Sequence, residues 1–299
     1  MLSSPAMNTP TDSLRRFLFE HLPLRGEIVR LDRVWLNVIE RHDYPQILRD
    51  MMGELCAAAV LLAATLKLKG SLVLQIHGKG AVKLLVVECS GDLELRATSK
   101  WEGELTHGSL QDMVGDGRFV ITLDPKDGNQ VYQGIVALEG DSIAEILQNY
   151  MTRSEQLETR LWLAADGVSA GGMLLQKLPE QGETADEDVW SRASQIADTL
   201  KPEELLTLPA GELVHRLYHE EDIRLFEAQP VAFRCTCSRD NVAQMLRMLG
   251  RAEVDSILEE RGDIEVHCEF CNERYVFDRV DADAAFADIM AMAVGKTVH

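Results

Sequence analysis

The chain has 299 residues, with 30 Lys+Arg against 49 Asp+Glu and a formal net charge of −19. Its 46% hydrophobic and 26% charged residues are those of an ordinary soluble globular protein, long enough for a sizeable core and for two domains. The acidity argues against a nucleic-acid binder, since no basic surplus is there to displace counterions from phosphates, and the longest apolar stretch, Leu55 to Leu66, falls far short of the ~20 residues a membrane span needs.

The opening MLSSPAMNTPTDSLRRFLFE has no basic segment followed by an apolar one, so no secretory signal is expected and the chain reads as cytosolic. GEIVRL reads as a strand. Asp32 is expected to cap a short helix through Glu40, and Pro45 to open a long one running to about Lys67. LVLQIHG, AVKLLVVEC and DLELRATS are consecutive strands joined by the glycine-containing turns GKG and SGD, which predicts a meander. The GKG lacks the third glycine and the following helix of a nucleotide fingerprint. RFVITLDPKDGNQVYQGIVAL predicts a hairpin turning at Asp127-Gly128. Asp141 is expected to cap a helix to about Met151, and LETRLWLAAD and GGMLLQKLP to complete the sheet. Strands and helices are segregated, which favours an α+β domain over residues 1–178 rather than a doubly wound sheet.

Residues 179–230 form a distinct region. From 180 onward they carry 13 acidic and 4 basic side chains, a net of −9. Helical patterns appear at EDVWSRASQIADTL, PEELLTL and AGELVHRLYH, but they are short and separated by Pro202 and Pro209. Such helices are marginal without packing partners. The region is either a solvated linker or a metastable segment that can melt; if it folds, Trp190, Ile196, Leu205, Leu206 and Leu217 need a surface, and the N-terminal sheet is the expected one. His215 and His219 lie four apart, yet HRLYH lacks the Glu beside the first His that HExxH requires. No Ser, His and Asp stand in a nucleophile-elbow context, so no active site is read.

The third region, 231–299, holds four of the six cysteines. Cys56 and Cys89 lie in apolar runs and read as small buried hydrophobes. Cys235-Thr-Cys237 is a CxC and Cys268-Glu-Phe-Cys271 a CxxC, separated by 30 residues. Two close thiol pairs, each able to hold one edge of a tetrahedron, suit a structural Zn²⁺ site. Ser238 is a fitting N-cap for a helix stopped by Gly250, Arg251 to Arg261 reads as a second helix ended by Gly262, and IEVHCEFCNERYVFD predicts a hairpin turning at the CxxC. A segment this small has a marginal core, which a metal can supplement. His267 makes HCE imitate the HxE of zinc deaminases, but those enzymes need a separate downstream CxxC, and four thiolates already close the shell. A DNA-reading finger is disfavoured by 13 acidic against 8 basic side chains from Val231 onward. An inert structural zinc remains open, although two thiols one residue apart are poised to oxidise together.

Taken with these motifs, the chain resembles the redox-regulated heat-shock holdase family, the bacterial 33 kDa chaperonins. FRCTCSRDNVAQML, LGRAEVDSILEERGDIEVHCEFCNERYVF, ELLTLPAGELVHRLYHEEDIRLFEAQPV, RGEIVRL, HDYP, LLAATLK, RSEQLETRL and AGGMLLQKLP all look like that family's segments. The resemblance implies an ATP-independent chaperone, not an enzyme. Cys235, Cys237, Cys268 and Cys271 would hold one Zn²⁺ per chain in the reduced, inactive state. On oxidation they would pair within each motif, zinc would leave, and the C-terminal domain and linker would unfold to expose surface for unfolding client proteins, the active form being a homodimer. The tighter CxC ring makes the CxxC the pair expected to close first. Similarity is weakest at GETADEDVW. A thiol-disulfide oxidoreductase using the CxxC is the alternative from another class. It is disfavoured because a catalytic CxxC normally sits at a helix N-terminus, whereas this one sits in a predicted hairpin.

Overall fold

In the computed structural model the described residues are 11–66, 69–105, 108–125, 130–179 and 188–294, with side chains through 287. The chain opens with strands β1 (Ser13–Phe19) and β2 (Leu24–Leu31) and helices α1 (Arg33–Ile39) and α2 (Gln46–Leu66). Next come β3 (Gly70–His77), β4 (Val82–Ser90), β5 (Glu94–Trp101), α3 (Leu110–Val114), β6 (Arg118–Pro125) and β7 (Tyr132–Val136). They are followed by α4 (Ile143–Arg153), β8 (Thr159–Ala165) and β9 (Ala170–Lys177). Helices α5 (Val189–Ala197), α6 (Pro202–Thr207) and α7 (Ala210–Tyr218) lead into the very short strands β10 (Ile223–Leu225), β11 (Gln229–Pro230) and β12 (Ala232–Phe233). The remainder is α8 (Arg239–Leu249), α9 (Arg251–Arg261), β13 (Ile264–His267), β14 (Arg274–Phe277) and α10 (Arg279–Val294). Contacts divide the chain into two compact units, Met1–Arg234 and Cys235–His299.

The architecture is α+β. The strands of the first unit form two six-stranded sheets among the described residues, not the single sheet expected from the sequence. One runs β10-β1-β2-β9-β8 with β11 also paired to β1; the other runs β12-β5-β4-β3-β6-β7 and contains the expected meander. The reason lies in α2. Its run LCAAAVLLAATL has no polar face, and a helix apolar all round must be covered all round. It packs on β2, β8 and β9 of the first sheet and on β3, β4 and β5 of the second, with every residue from Leu55 to Ala64 buried. Cys56 and Cys89 sit in this core at 0% exposure, and burial pushes both thiols up, that of Cys89 to about 12. At the end of α2, Arg16 donates to the Ala64 carbonyl (2.7 Å) and Thr65 donates to Glu27 (3.2 Å). Burial raises the Glu27 carboxyl to about 7 despite the adjacent Arg16.

The opposite face of the first sheet is covered by α5, α6 and α7. Phe17, Phe19, Leu24, Ile28, Met173 and Leu175 of the sheet form one core with Leu205, Leu206, Leu213, Leu217 and Tyr218, with Trp190 and Ile196 partly buried against it. Phe17 lies across Gly26 of β2, where an added Cβ would fall 2.0 Å from the ring. Polar ties reinforce the packing: Arg160 pairs with Asp198 (2.9 Å), Arg30 donates to the Thr207 carbonyl (2.8 Å), and Tyr218 donates to the Ala193 carbonyl (3.1 Å). Past α7, β10 and β11 pair with β1, while β12 joins β5 in the one parallel pairing among the described strands.

Two caps differ from expectation. Asp32 stands at the N-cap of α1 but makes no capping bond. Its carboxylate is taken by Arg30 (3.0 Å) and Ser169 (2.8 Å), and the helix start is served instead by Asp12, which accepts the N–H groups of Asp32 (2.8 Å), Arg33 (3.2 Å) and Val34 (2.8 Å). The α4 cap is Ser142, not Asp141, because the Ser142 hydroxyl accepts the Glu145 N–H (3.2 Å) while Glu145 reaches back to the Asp141 N–H (2.7 Å). The expected Asp127-Gly128 turn, residue Lys67 and most of GETADEDVW lie outside the described residues. A carboxylate accepting three orphan amides acts as cap and dipole partner together. Asp12→Ala is therefore expected to cost about 1–2 kcal/mol and to accelerate amide exchange at Val34, whereas Asp32→Ala leaves Val34 protected. Site-resolved hydrogen exchange with a denaturant titration checks both.

Candidate metal centre

The second unit brings its two cysteine motifs together by local signals that read clearly in the sequence. Ser238 caps α8 by accepting the Asn241 N–H (3.1 Å), and the Asn241 side-chain amide donates to the Thr236 carbonyl (2.9 Å). The CxC loop is thus clasped to the first turn of the helix. Gly250 (φ +97°) and Gly262 (φ +86°) end α8 and α9 as expected. Strands β13 and β14 pair antiparallel from Ile264↔Phe277 to His267↔Arg274, so the CxxC occupies the turn between them. That turn closes through Cys268 N–H to the Glu273 carbonyl (2.9 Å) and Asn272 N–H to the Cys268 carbonyl (2.8 Å). Asn272 adopts φ +56°, a left-handed conformation that Asn tolerates better than most residues.

The outcome is a four-sulfur cluster. The Sγ atoms of Cys235, Cys237, Cys268 and Cys271 all lie within 4.8 Å of one another. Cys235 and Cys268 are 3.6 Å apart and Cys237 and Cys271 3.3 Å apart, so close contacts run between the motifs. No disulfide joins any of the six cysteines. A tetrahedral ion with sulfur bonds of ~2.3 Å places its ligands ~3.8 Å apart, and the observed spacings fit such an ion. The donor set is all soft sulfur, which selects a thiophilic metal over calcium or magnesium. Burial and the neighbouring sulfurs push the Cys271 thiol up. Four thiolates this close repel one another, and only a cation offsets that repulsion.

His267 is turned to other work. Its Nε2 is 2.7 Å from Glu265 Oε1, and Arg274 donates to the other Glu265 oxygen at 2.5 Å. Hydrogen bonds from Arg274 and then His267 hold the Glu265 carboxyl at about 2, and Glu265 in turn raises the His267 pKa. His215 and His219 stack edge to face at 6.0 Å and belong to no metal-compatible group among the described residues. Two residues of the centre escaped the sequence reading. Asn241, three residues after the cap, holds the CxC loop. Tyr275, on β14, donates its hydroxyl to the Cys237 sulfur at 3.2 Å. A signal for Tyr275 existed, since a hydroxyl-bearing aromatic four residues past the CxxC on a short hairpin strand can reach a neighbouring thiolate.

The comparisons with known proteins agree over most of the chain. The family model described as "Hsp33 protein" matches residues 12–278. The 33 kDa chaperonin of Methylobacillus flagellatus is 58% identical over 290 residues, which span 97% of this chain and 99% of that protein. That of Chromobacterium violaceum is 53% identical over 286 residues, spanning 94% of this chain and 96% of that protein. The crystal structure of the 33 kDa chaperonin from Thermotoga maritima, at 21% identity, matches with a TM-score of 0.81 and covers 94% of this chain and 99% of that one, which establishes a shared fold. On these grounds the chain belongs to the Hsp33 protein family and is a chaperone.

Proposed function

We propose that this chaperone is a redox-switched, ATP-independent holdase: off when reduced and zinc-bound, on when its four clustered cysteines have paired within their motifs. The observation that carries the reading is that close sulfur contacts run between the CxC and the CxxC. Closing Cys235 to Cys237 and Cys268 to Cys271 therefore dissolves the cluster instead of locking it.

In the reduced state Cys235, Cys237, Cys268 and Cys271 would hold one Zn²⁺, whose charge keeps four adjacent sulfurs deprotonated and together. Each thiolate pair then gives two electrons to a peroxide as its S–S bond forms, the O–O bond breaks, and with two protons taken from solvent the peroxide leaves as two waters. With the cluster gone, the described residues of the second unit, from Cys235 onward, retain only a small apolar core, and structural zinc in such domains is worth roughly 10–16 kcal/mol, about their whole folding free energy. Residues 179–230 act as the linker that melts next. Their helices span nine, six and nine residues in α5, α6 and α7, too short to persist without the sheet beneath them. Surface freed in this way on residues 1–178 and on the linker binds unfolding clients, and two oxidised chains associate as a homodimer. The setting is the cytosol, where thiols rest reduced and oxidation is a signal. Catalytic thiol exchange is the weaker reading, because the CxxC lies in the turn between β13 and β14 and not at a helix N-terminus.

The reduced protein is expected to bind one zinc ion through four sulfurs at ~2.3 Å and no nitrogen. X-ray absorption checks this, with His267→Ala leaving the stoichiometry unchanged and Cys268→Ser reducing it. Removing zinc should deprotect residues 188–230 in hydrogen exchange while β3, β4 and β6 stay protected; unchanged protection of α5–α7 would refute the coupling. Peroxide-oxidised protein should suppress aggregation of a thermally unfolding client at near-stoichiometric ratio without ATP, and reduced protein should not. Catalysed insulin reduction would favour the oxidoreductase instead.

A further inference from the structure

We infer that the Tyr275 hydroxyl guards the Cys237 sulfur, so that the CxC closes more slowly while the hairpin carrying the CxxC is intact than after it has opened. The inference deepens the redox reading above and rests on it. Tyr275 lies on β14, opposite Val266 of β13, in the same hairpin whose turn holds Cys268 and Cys271. Its hydroxyl donates to Cys237 at 3.2 Å. This bond joins the two motifs without passing through a metal ion. A removable side chain on one motif therefore controls a sulfur of the other.

The chemistry makes that sulfur decisive. Disulfide formation with hydrogen peroxide takes two displacements. A thiolate first attacks one peroxide oxygen, the O–O bond breaks, and the products are a sulfenic acid and, with one proton, water. A second thiolate then attacks the sulfenic sulfur, the S–O bond breaks, and hydroxide leaves to be protonated to a second water. If Cys235 is oxidised first, Cys237 must attack it; if Cys237 is oxidised first, it must itself have attacked the peroxide. Both routes spend a lone pair of Cys237, and a lone pair accepting a phenolic proton is less available to an electrophile. Closure of the CxxC makes no such demand on Cys237. Once Cys268 and Cys271 have paired and the four-sulfur cluster is gone, only backbone bonds such as Cys268–Glu273 and Asn272–Cys268 hold the turn, which is then free to open. Tyr275 then withdraws with its strand. The first disulfide thereby speeds the second.

The test compares the reduced, zinc-loaded full chain with Tyr275→Phe under limiting hydrogen peroxide. Thiol trapping and mass spectrometry follow closure of each pair. The expected result is CxC closure roughly three- to tenfold faster in Tyr275→Phe, the scale of one hydrogen bond, with CxxC closure unchanged. A species with only Cys268 and Cys271 paired should then accumulate less than in the wild type. Replacing Tyr275 by 3-fluorotyrosine, a stronger donor on the same ring, should slow CxC closure, an opposite response that a purely packing role would not give. Cobalt-substituted protein supplies a readout independent of oxidation: loss of the hydrogen bond should move the thiolate-to-cobalt charge-transfer band to lower energy. An unchanged ratio of the two closure rates in both variants would overturn the inference while leaving the switch intact. Failure of either pair to close in the wild type would overturn the switch, and the inference with it.

Discussion

Four sulfur atoms held within 4.8 Å of one another are the constraint on which the second unit depends. Thiols attract one another weakly and thiolates repel, so nothing in the cluster itself explains why the chain gathers them. The surrounding core adds little. Among the described residues its eight buried apolar side chains include three alanines, Ala243, Ala282 and Ala285. The Arg239–Asp281 and Arg251–Asp283 pairs that cross between its helices are exposed enough that each contributes little. Arg239 over the Phe277 ring, at 4.3 Å, adds a modest cation–π term. Among the described residues, such a unit has few apolar or ionic reserves beyond its cluster.

The first unit is built on the opposite plan. Helix α2 is sealed between two sheets, and its apolar surface has no orientation in which water would be tolerated. The outer face of the first sheet is different, because its cover consists of three short helices rather than one long one. The same sheet therefore has one face sealed by a single long helix and one covered by three short ones. Local opening concentrates in segments with few buried contacts of their own, and α5–α7 bury their apolar faces largely on the sheet.

Much of this was legible in the sequence, for reasons that differ by region. Around the cysteines the signals were local: a Ser cap, two terminating glycines and a strand alternation broken by a CxxC, each acting within a few residues. Helices α8 and α9 and the hairpin of the second unit accordingly fall where expected, whereas α10 was not anticipated. The apolar run of α2 announced burial but could not say that two sheets were needed to bury it. The caps of α1 and α4 were misjudged from the nearest acidic residue. For α1 the true cap, Asp12, lies 20 residues upstream and is delivered by strand pairing, information that no local pattern contains. Tyr275 reaches Cys237 across 38 positions for the same reason.

The short strands β10 and β11 have a consequence for the order in which the protein can be made. They cover the free edge of β1, and Arg224 meets Glu20 across a sequence separation of 204 residues. A ribosome releases β1 long before these edge partners, which follow it in the chain by that same separation. Until then the nascent chain carries an open edge, the feature that most invites pairing with foreign strands. For much of its own translation, this chaperone is itself a chain in need of shelter.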